Sequence, residues 1–176
     1  MIELNVSGVK NSPGGKVRFE KKADLDPIQT EVEAIYFNGS LELDITLFNN
    51  DGPLIMTGNL RGNIRIACGR CLEYFDMPVE AEISEVYYNE SMPDIRPEEG
   101  EEWIPFRGDR IDITPEVIKS LLASIPMRPV CREDCRGLCQ NCGVNLNMSA
   151  CDCAKDDIDI RLEALKKLIE VKKDEE

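Results

Sequence analysis

Between residues 131 and 153 the chain reads CREDCRGLCQNCGVNLNMSACDC, which places six of its eight cysteines in one short run. The same run also carries Arg, Asp, Asn and Gly, so what the thiols are for is the first question the chain raises. The other two, Cys68 and Cys71, form a Cys-x-x-Cys pair in IRIACGRCLEYF. Thiols at this density serve redox couples, disulfide staples or metal sites. At 176 residues the chain can bury a core without staples. The stretch MIELNVSGVK lacks the basic head and apolar run of a secretory signal, and no window approaches the roughly 18 apolar residues of a membrane span. A cytoplasmic location without membrane contact is expected. Thiols stay reduced there, so dense cysteines point first to metal and second to redox catalysis.

The chain has no histidine, which removes Ser-His-Asp and Cys-His nucleophile pairs and every mixed Cys/His metal site. A redox Cys-x-x-Cys usually opens a helix, whose N-terminal field stabilises a thiolate. Strand-like segments flank Cys68 and Cys71 instead, and a tight turn between strands is what a zinc knuckle uses. Cys139 and Cys142, in CQNCG, read the same way, with Gly143 suiting amides that point at sulfur. The eight thiols divide into two four-cysteine sites. The division favoured here joins Cys68 and Cys71 to Cys131 and Cys135, and closes Cys139, Cys142, Cys151 and Cys153 locally. The alternative groups Cys131, Cys135, Cys139 and Cys142, leaving Cys68 and Cys71 to join Cys151 and Cys153. Spacing alone does not choose between them. Two structural zinc ions are expected, because four thiolates leave no open position for water or substrate. Iron is accepted by the same ligand set. No catalytic residue and no small-molecule substrate are expected.

Strand-like segments dominate the first half of the chain. Segments 2–9 and 16–22 flank NSPGG, which signals a hairpin. In SLELDITLF, Leu41, Leu43, Ile45 and Leu47 alternate with polar residues, and 54–67 and 75–88 continue that period of two. RIDITPEVIKSLLASIPM predicts a short strand running into a helix, with Thr114 as N-cap, Pro115 at the first helical position, an apolar face of Val117, Ile118, Leu121 and Leu122, and Pro126 as the stop. A second helix is expected over 156–173, where Ile158, Leu162, Leu165, Leu168 and Ile169 recur at helical spacing. The expected fold is therefore α+β: an antiparallel sheet or partial β-barrel lobe with a C-terminal helix and a zinc-knuckle segment. Its expected parts are a strand-rich lobe over 1–88, an acidic linker or loop over 89–102, and a strand-helix, cysteine-rich and helical part over 103–176.

The formal charge of -13 opposes broad capture of nucleic acid, which needs many Lys and Arg contacts to phosphate. Any RNA contact is expected to be local. Arg61, Arg65, Arg70, Arg128, Arg132 and Arg136 all lie near cysteines in sequence. They either offset the negative charge of a four-thiolate zinc or form one basic face that touches phosphate. Tyr74 and Phe75 either stack on an unpaired base or serve the core.

Several of these segments together resemble one family. Cys68-Gly-Arg-Cys-Leu after a strand, the Ile111-Asp-Ile run before a helix, the stretch from Pro126 to Cys131, CRGLCQNCGVNLN with its later CDC, and IRLEALKKL resemble the YceD family of bacterial and plastid proteins, over about the last two thirds of the chain. That family is named for accumulation of large ribosomal subunit RNA. The resemblance implies a non-enzymatic biogenesis factor whose partner is a large-subunit precursor, met through rRNA or a basic ribosomal protein. Arg70, Arg132 and Arg136 are the candidate contacts. Two readings of other classes compete: a thiol-disulfide or metal-delivery protein, and a zinc-ribbon adaptor that holds a basic protein through the acidic loop.

Overall fold

The computed structural model describes residues 1–30, 34–92 and 95–153. The helix expected over 156–173 lies outside them. Two compact units divide between Cys135 and Arg136.

The first unit contains β1 (Glu3–Asn5), β2 (Lys16–Ala23), β3 (Ile28–Gln29), β4 (Ala34–Phe37), β5 (Leu41–Asn49), β6 (Leu54–Ala67), β7 (Tyr74–Asn89), β8 (Ile104–Phe106), β9 (Arg110–Asp112) and the helix α1 (Thr114–Ser124). The alternation of β5 becomes one buried and one more exposed face, with Leu41, Leu43, Ile45 and Leu47 all at or below 3% exposure. β6 organises the main sheet. One edge pairs with β7 from Leu54↔Tyr87 to Ala67↔Tyr74. The other edge is shared: β5 takes Leu54 to Arg61, and β4 takes Ile64 and Arg65. β2 continues the sheet beyond β5, β3 beyond β4, and β8 beyond β7. Among the described residues, only the β7–β8 ladder of this sheet is parallel.

On the inner face of β6, glycine is required by close approach. A Cβ at Gly58 would lie 2.4 Å from the Asp44 carbonyl oxygen, and one at Gly62 2.4 Å from Leu41 Cδ2. β5 side chains therefore fold over β6 where β6 has none. Pro78 interrupts β7 opposite Asn63, where the far edge of β7 has no strand partner among the described residues, so its missing N–H breaks no ladder there. On the outer face, Arg18 to Asp44, Lys22 to Glu42 and Arg61 to Glu80 form cross-strand ion pairs that hold the register.

The expected N-terminal hairpin does not form. β1 is short, pairs with β9 through Glu3↔Asp112, Leu4↔Ile111 and Asn5↔Arg110, and leaves β2 to pair with β5. The chain turns at Val6, whose carbonyl accepts from the amides of Val9 and Lys10, because both valines are buried in the core. Buried Asn49 pins that turn. Its side-chain nitrogen donates to the Val9 and Lys10 carbonyls, and its oxygen accepts from the Gly52 amide. β3 and β4 had no counterpart in the sequence reading.

The helix begins one residue earlier in role than expected. Ile113 occupies the cap position without a side-chain cap bond. The Thr114 hydroxyl instead accepts from the Ile2 amide at 2.7 Å and donates to Asp112. Burial works against ionisation of Asp112, but hydrogen bonds from the Thr114 hydroxyl and amide outweigh it and hold the carboxyl below its usual range. The buried helical face is rotated as well: Ile113, Val117 and Leu121 are fully buried, while Leu122 is 37% exposed. The helix packs against β7, and Ile125 is extended before Pro126, as the stop requires. No helix among the described residues is long and apolar enough to cross a membrane.

Candidate metal centres

β6 and β7 form one long hairpin, and its tip is the turn Cys68-Gly-Arg-Cys. The segment after α1 returns to this tip. The Gly69 amide donates to the Pro129 carbonyl at 2.7 Å, and a Cβ at Gly69 would lie 3.0 Å from Arg128 Cγ and 3.3 Å from the Pro129 carbonyl oxygen, so a larger residue would crowd this approach. Arg70 Nη1 donates to the carbonyls of Glu133 and Cys135 at 2.8 and 3.1 Å. These bonds bring Cys131 and Cys135 against the knuckle.

The sulfurs of Cys68, Cys71, Cys131 and Cys135 lie within 4.8 Å of one another, and none is in a disulfide. Cys68 and Cys135 are 3.9 Å apart and Cys71 and Cys131 3.8 Å. Four sulfurs each about 2.3 Å from a central zinc would stand about 3.8 Å apart, so the donor set fits the ion. Cys68, Cys71 and Cys135 are at most 5% exposed. Burial works against ionisation of Cys68, but the amides of Cys131, Cys71 and Arg70 outweigh it and draw the thiol down to about 6. Burial and the neighbouring sulfurs of Cys135, Cys68 and Cys71 push Cys131 up to about 12. One thiolate thus forms readily and opposes the next, an imbalance that a dication at the centre would remove.

The second group lies wholly in the second unit. Cys139, Cys142, Cys151 and Cys153 also place their sulfurs within 4.8 Å of one another. Leu138 and Asn145 form an antiparallel bridge, and the Cys139 amide donates to the Val144 carbonyl at 2.8 Å. The Asn147 side chain accepts from the Arg136 amide, and the Leu146 amide donates to the Gly137 carbonyl, so short polar side chains and main-chain bonds replace a core. The Cys142 and Asn141 amides draw Cys139 down to about 6, while the sulfurs of Cys142 and Cys139 push Cys153 up to about 12. Cys142 is exposed and the other three are half-buried. The favoured division of the eight cysteines is the one the chain adopts.

The two knuckles superpose in logic. The Leu72 amide donates to the Cys68 carbonyl at 2.9 Å, as the Gly143 amide does to the Cys139 carbonyl. Gly143 takes φ +73°, and Leu72 takes φ +60° at the matching position. A leucine there is strained, and its side chain is 63% exposed. Leu72→Gly is expected to raise stability by about 0.5–1 kcal/mol, the relief of the left-handed conformation less the freer unfolded chain. Urea unfolding measures it, and an unmoved or lowered midpoint would mean that the leucine packs productively.

The named arginines separate by surroundings. Arg70 serves the main-chain carbonyls of the first centre, Arg132 pairs with Asp134 at 3.3 Å, and exposed Arg136 lies in the second unit. Arg61 is held by Glu80. Tyr74 is 46% exposed, while Phe75 packs against the core. Tyr36, which the sequence reading passed over, meets Tyr74 edge-on, with ring centroids 6.0 Å apart.

Residues 56–169 match the family described as Large ribosomal RNA subunit accumulation protein YceD. Uncharacterized proteins of Mycobacterium tuberculosis and Mycobacterium bovis are each 32% identical over 120 residues, covering 68% of this chain and 58% of their own length. An Arabidopsis thaliana protein, the large ribosomal RNA subunit accumulation protein YCED homolog 1, chloroplastic, is 28% identical over 163 residues, covering 77% of this chain and 46% of its own. The chain thus spans little more than half the length of its mycobacterial relatives. No solved structure matches it.

Proposed function

Because this chain belongs to the YceD family, through a match that covers both cysteine groups, we propose that it is a non-enzymatic factor in biogenesis of the large ribosomal subunit. The observation that carries the reading is the place of the match, residues 56–169, which begins in β6 and takes in the hairpin tip, α1 and every cysteine. The part shared with the family is therefore the part that the two centres hold together. Each centre takes one structural zinc ion, and four thiolates around it leave no position for a substrate. The first fastens the segment after α1 to the β6–β7 tip, and the second gives residues 136–153 a fold they could not build from apolar burial. The partner is a large-subunit precursor, and the site of action is the cytoplasm.

Buried sulfurs and main-chain clamps favour this role over thiol exchange, because a redox couple needs an accessible attacking thiolate and Cys68 is fully buried. The test is sedimentation of cell extract, probing for the protein across free, small-subunit, large-subunit and precursor fractions with and without ribonuclease, together with rRNA in a deletion strain. Enrichment in large-subunit precursors and a fall in large- relative to small-subunit rRNA are expected. A deletion strain with an unchanged rRNA ratio would refute the reading.

A further inference from the structure

The arginines of the first unit are mostly spoken for. Arg18, Arg61, Arg107, Arg110 and Arg132 pair with carboxylates, Arg70 serves main-chain carbonyls, and Arg96 lies over the Tyr88 ring. Arg65 and Arg128 are exposed, and neither guanidinium meets a hydrogen-bonding or ionic partner among the described residues. In a chain with 34 acids against 21 bases, acid partners are abundant, so the placement of these two is informative. Both border the first knuckle: Arg65 stands three residues before Cys68 on the outer face of β6, and the stem of Arg128 lies against Gly69.

Exposed apolar surface gathers at the same hairpin tip. Tyr36 and Tyr74 are 42% and 46% exposed, and Leu72 and Met127 are exposed as well. Strand register sets Tyr36 directly opposite Arg65, and Tyr74 opposite Ala67 on the other edge of β6. The small Ala67 leaves room for the two rings to meet at 70°. A pair so inclined offers separate ring faces beside a guanidinium that has no hydrogen-bonding or ionic partner among the described residues. Leu72 adds an apolar tip in a backbone conformation that glycine would hold without strain.

Resting on the biogenesis reading, we propose that this tip, formed by Tyr36, Arg65, Leu72, Tyr74 and Arg128, is a docking site for a short unpaired segment of RNA. The rings stack on bases, and Arg65 and Arg128 take phosphates. A duplex does not fit, because its base faces are already stacked. Exposed Glu73 and Asp76, the latter opposite Arg65 in the β6–β7 register, bring the formal charge of the patch to zero, so phosphate contacts are expected to be few and the rings to carry most of the binding.

The experiment uses the full chain with both centres loaded, a fluorescein-labelled unstructured 12-nucleotide RNA and the matching duplex, with anisotropy read from 50 to 200 mM salt. Single-stranded RNA is expected to bind more tightly than duplex. Arg65→Gln with Arg128→Gln, which keep most of the stems, should flatten the log–log salt dependence by about 1.4, at about 0.7 per phosphate contact on a single strand. Tyr36→Ala and Tyr74→Ala should each weaken binding about fivefold or more. Unchanged metal content and melting confirm that the variants fold, and Arg18→Gln serves as a control expected to bind like the parent. Equal binding by the patch variants, or a preference for duplex, overturns the proposal. So does loss of a protein partner from large-subunit precursors with RNA binding intact, which would make the tip a protein surface. The deletion-strain rRNA ratio separates the two ideas: if it falls while the patch variants bind normally, the biogenesis reading stands and this surface does not.

Discussion

Cys135→Ser is expected to abolish metal binding at the first of the two proposed centres and to cost most of the folded stability. Cys135 is 5% exposed and sits 3.9 Å from the fully buried Cys68, so no outside ligand reaches the vacated corner easily. The centre joins Cys71 to Cys131, 60 residues apart, across a stretch that includes the whole of β7, β8, β9 and α1. Closing so distant a pair restricts the unfolded chain strongly. Binding at a structural zinc is worth about 10–16 kcal/mol, the same size as the 5–15 kcal/mol net stability of a whole domain. Losing one ligand of four therefore threatens the unit, not just its edge. Metal-to-protein ratio and thermal unfolding followed by circular dichroism read the outcome. A variant that melts at the parent temperature would remove the first centre from the list of what holds the sheet.

The second large effect is one of order. Chelator added stepwise should take metal from the second centre before the first, and Cys139→Ser or Cys142→Ser should lose one metal while leaving the sheet intact. Cys142 is exposed, and a cavity of about 410 Å³ lined by Cys139, Cys151 and Cys153 opens beside the sulfurs. The first centre offers no such approach to Cys68. Trp103, the only tryptophan, lies 6.5 Å from Tyr88 in the first unit, so its emission reports on that unit alone. Metal release should proceed to half completion with the emission unmoved. Simultaneous loss of both ions, or an emission shift in the first half of the titration, would show that the centres are energetically one.

The parts of this fold that could be read in advance are those where a local period decides the outcome. β5, β6 and β7 alternate so strictly that one buried face follows from the residues themselves, and Pro115 and Pro126 bracket α1 with little help from elsewhere. The knuckles were equally legible, because two cysteines separated by two residues between strands have few other uses. The misread parts depend on partners distant in sequence. Leu4 could be seen to favour a strand, but nothing local says that its partner is Ile111 and not a residue after NSPGG. The helix face turned toward Ile113 because the Thr114 hydroxyl was needed by the Ile2 amide, 112 residues away. Tyr36 joined the hairpin tip only through its register with Arg65. One local signal was passed over: CGRCL beside CQNCG already shows a leucine where the other knuckle has glycine.

The pairing of β1 with β9 also bears on how the protein is made. Glu3 and Arg110, joined by an ion pair at 2.9 Å, lie 107 residues apart, so the first strand leaves the ribosome long before its partner exists. At about 5–20 residues per second the wait is on the order of 5–20 s. During it the β5–β6–β7 meander can form without either end of the chain, while Leu4 and Val6 remain uncovered. Cys131 and Cys135 emerge later still, so a metal ion taken up at the hairpin tip would close this unit's folding and tie completion of the lobe to metal supply at the moment of synthesis.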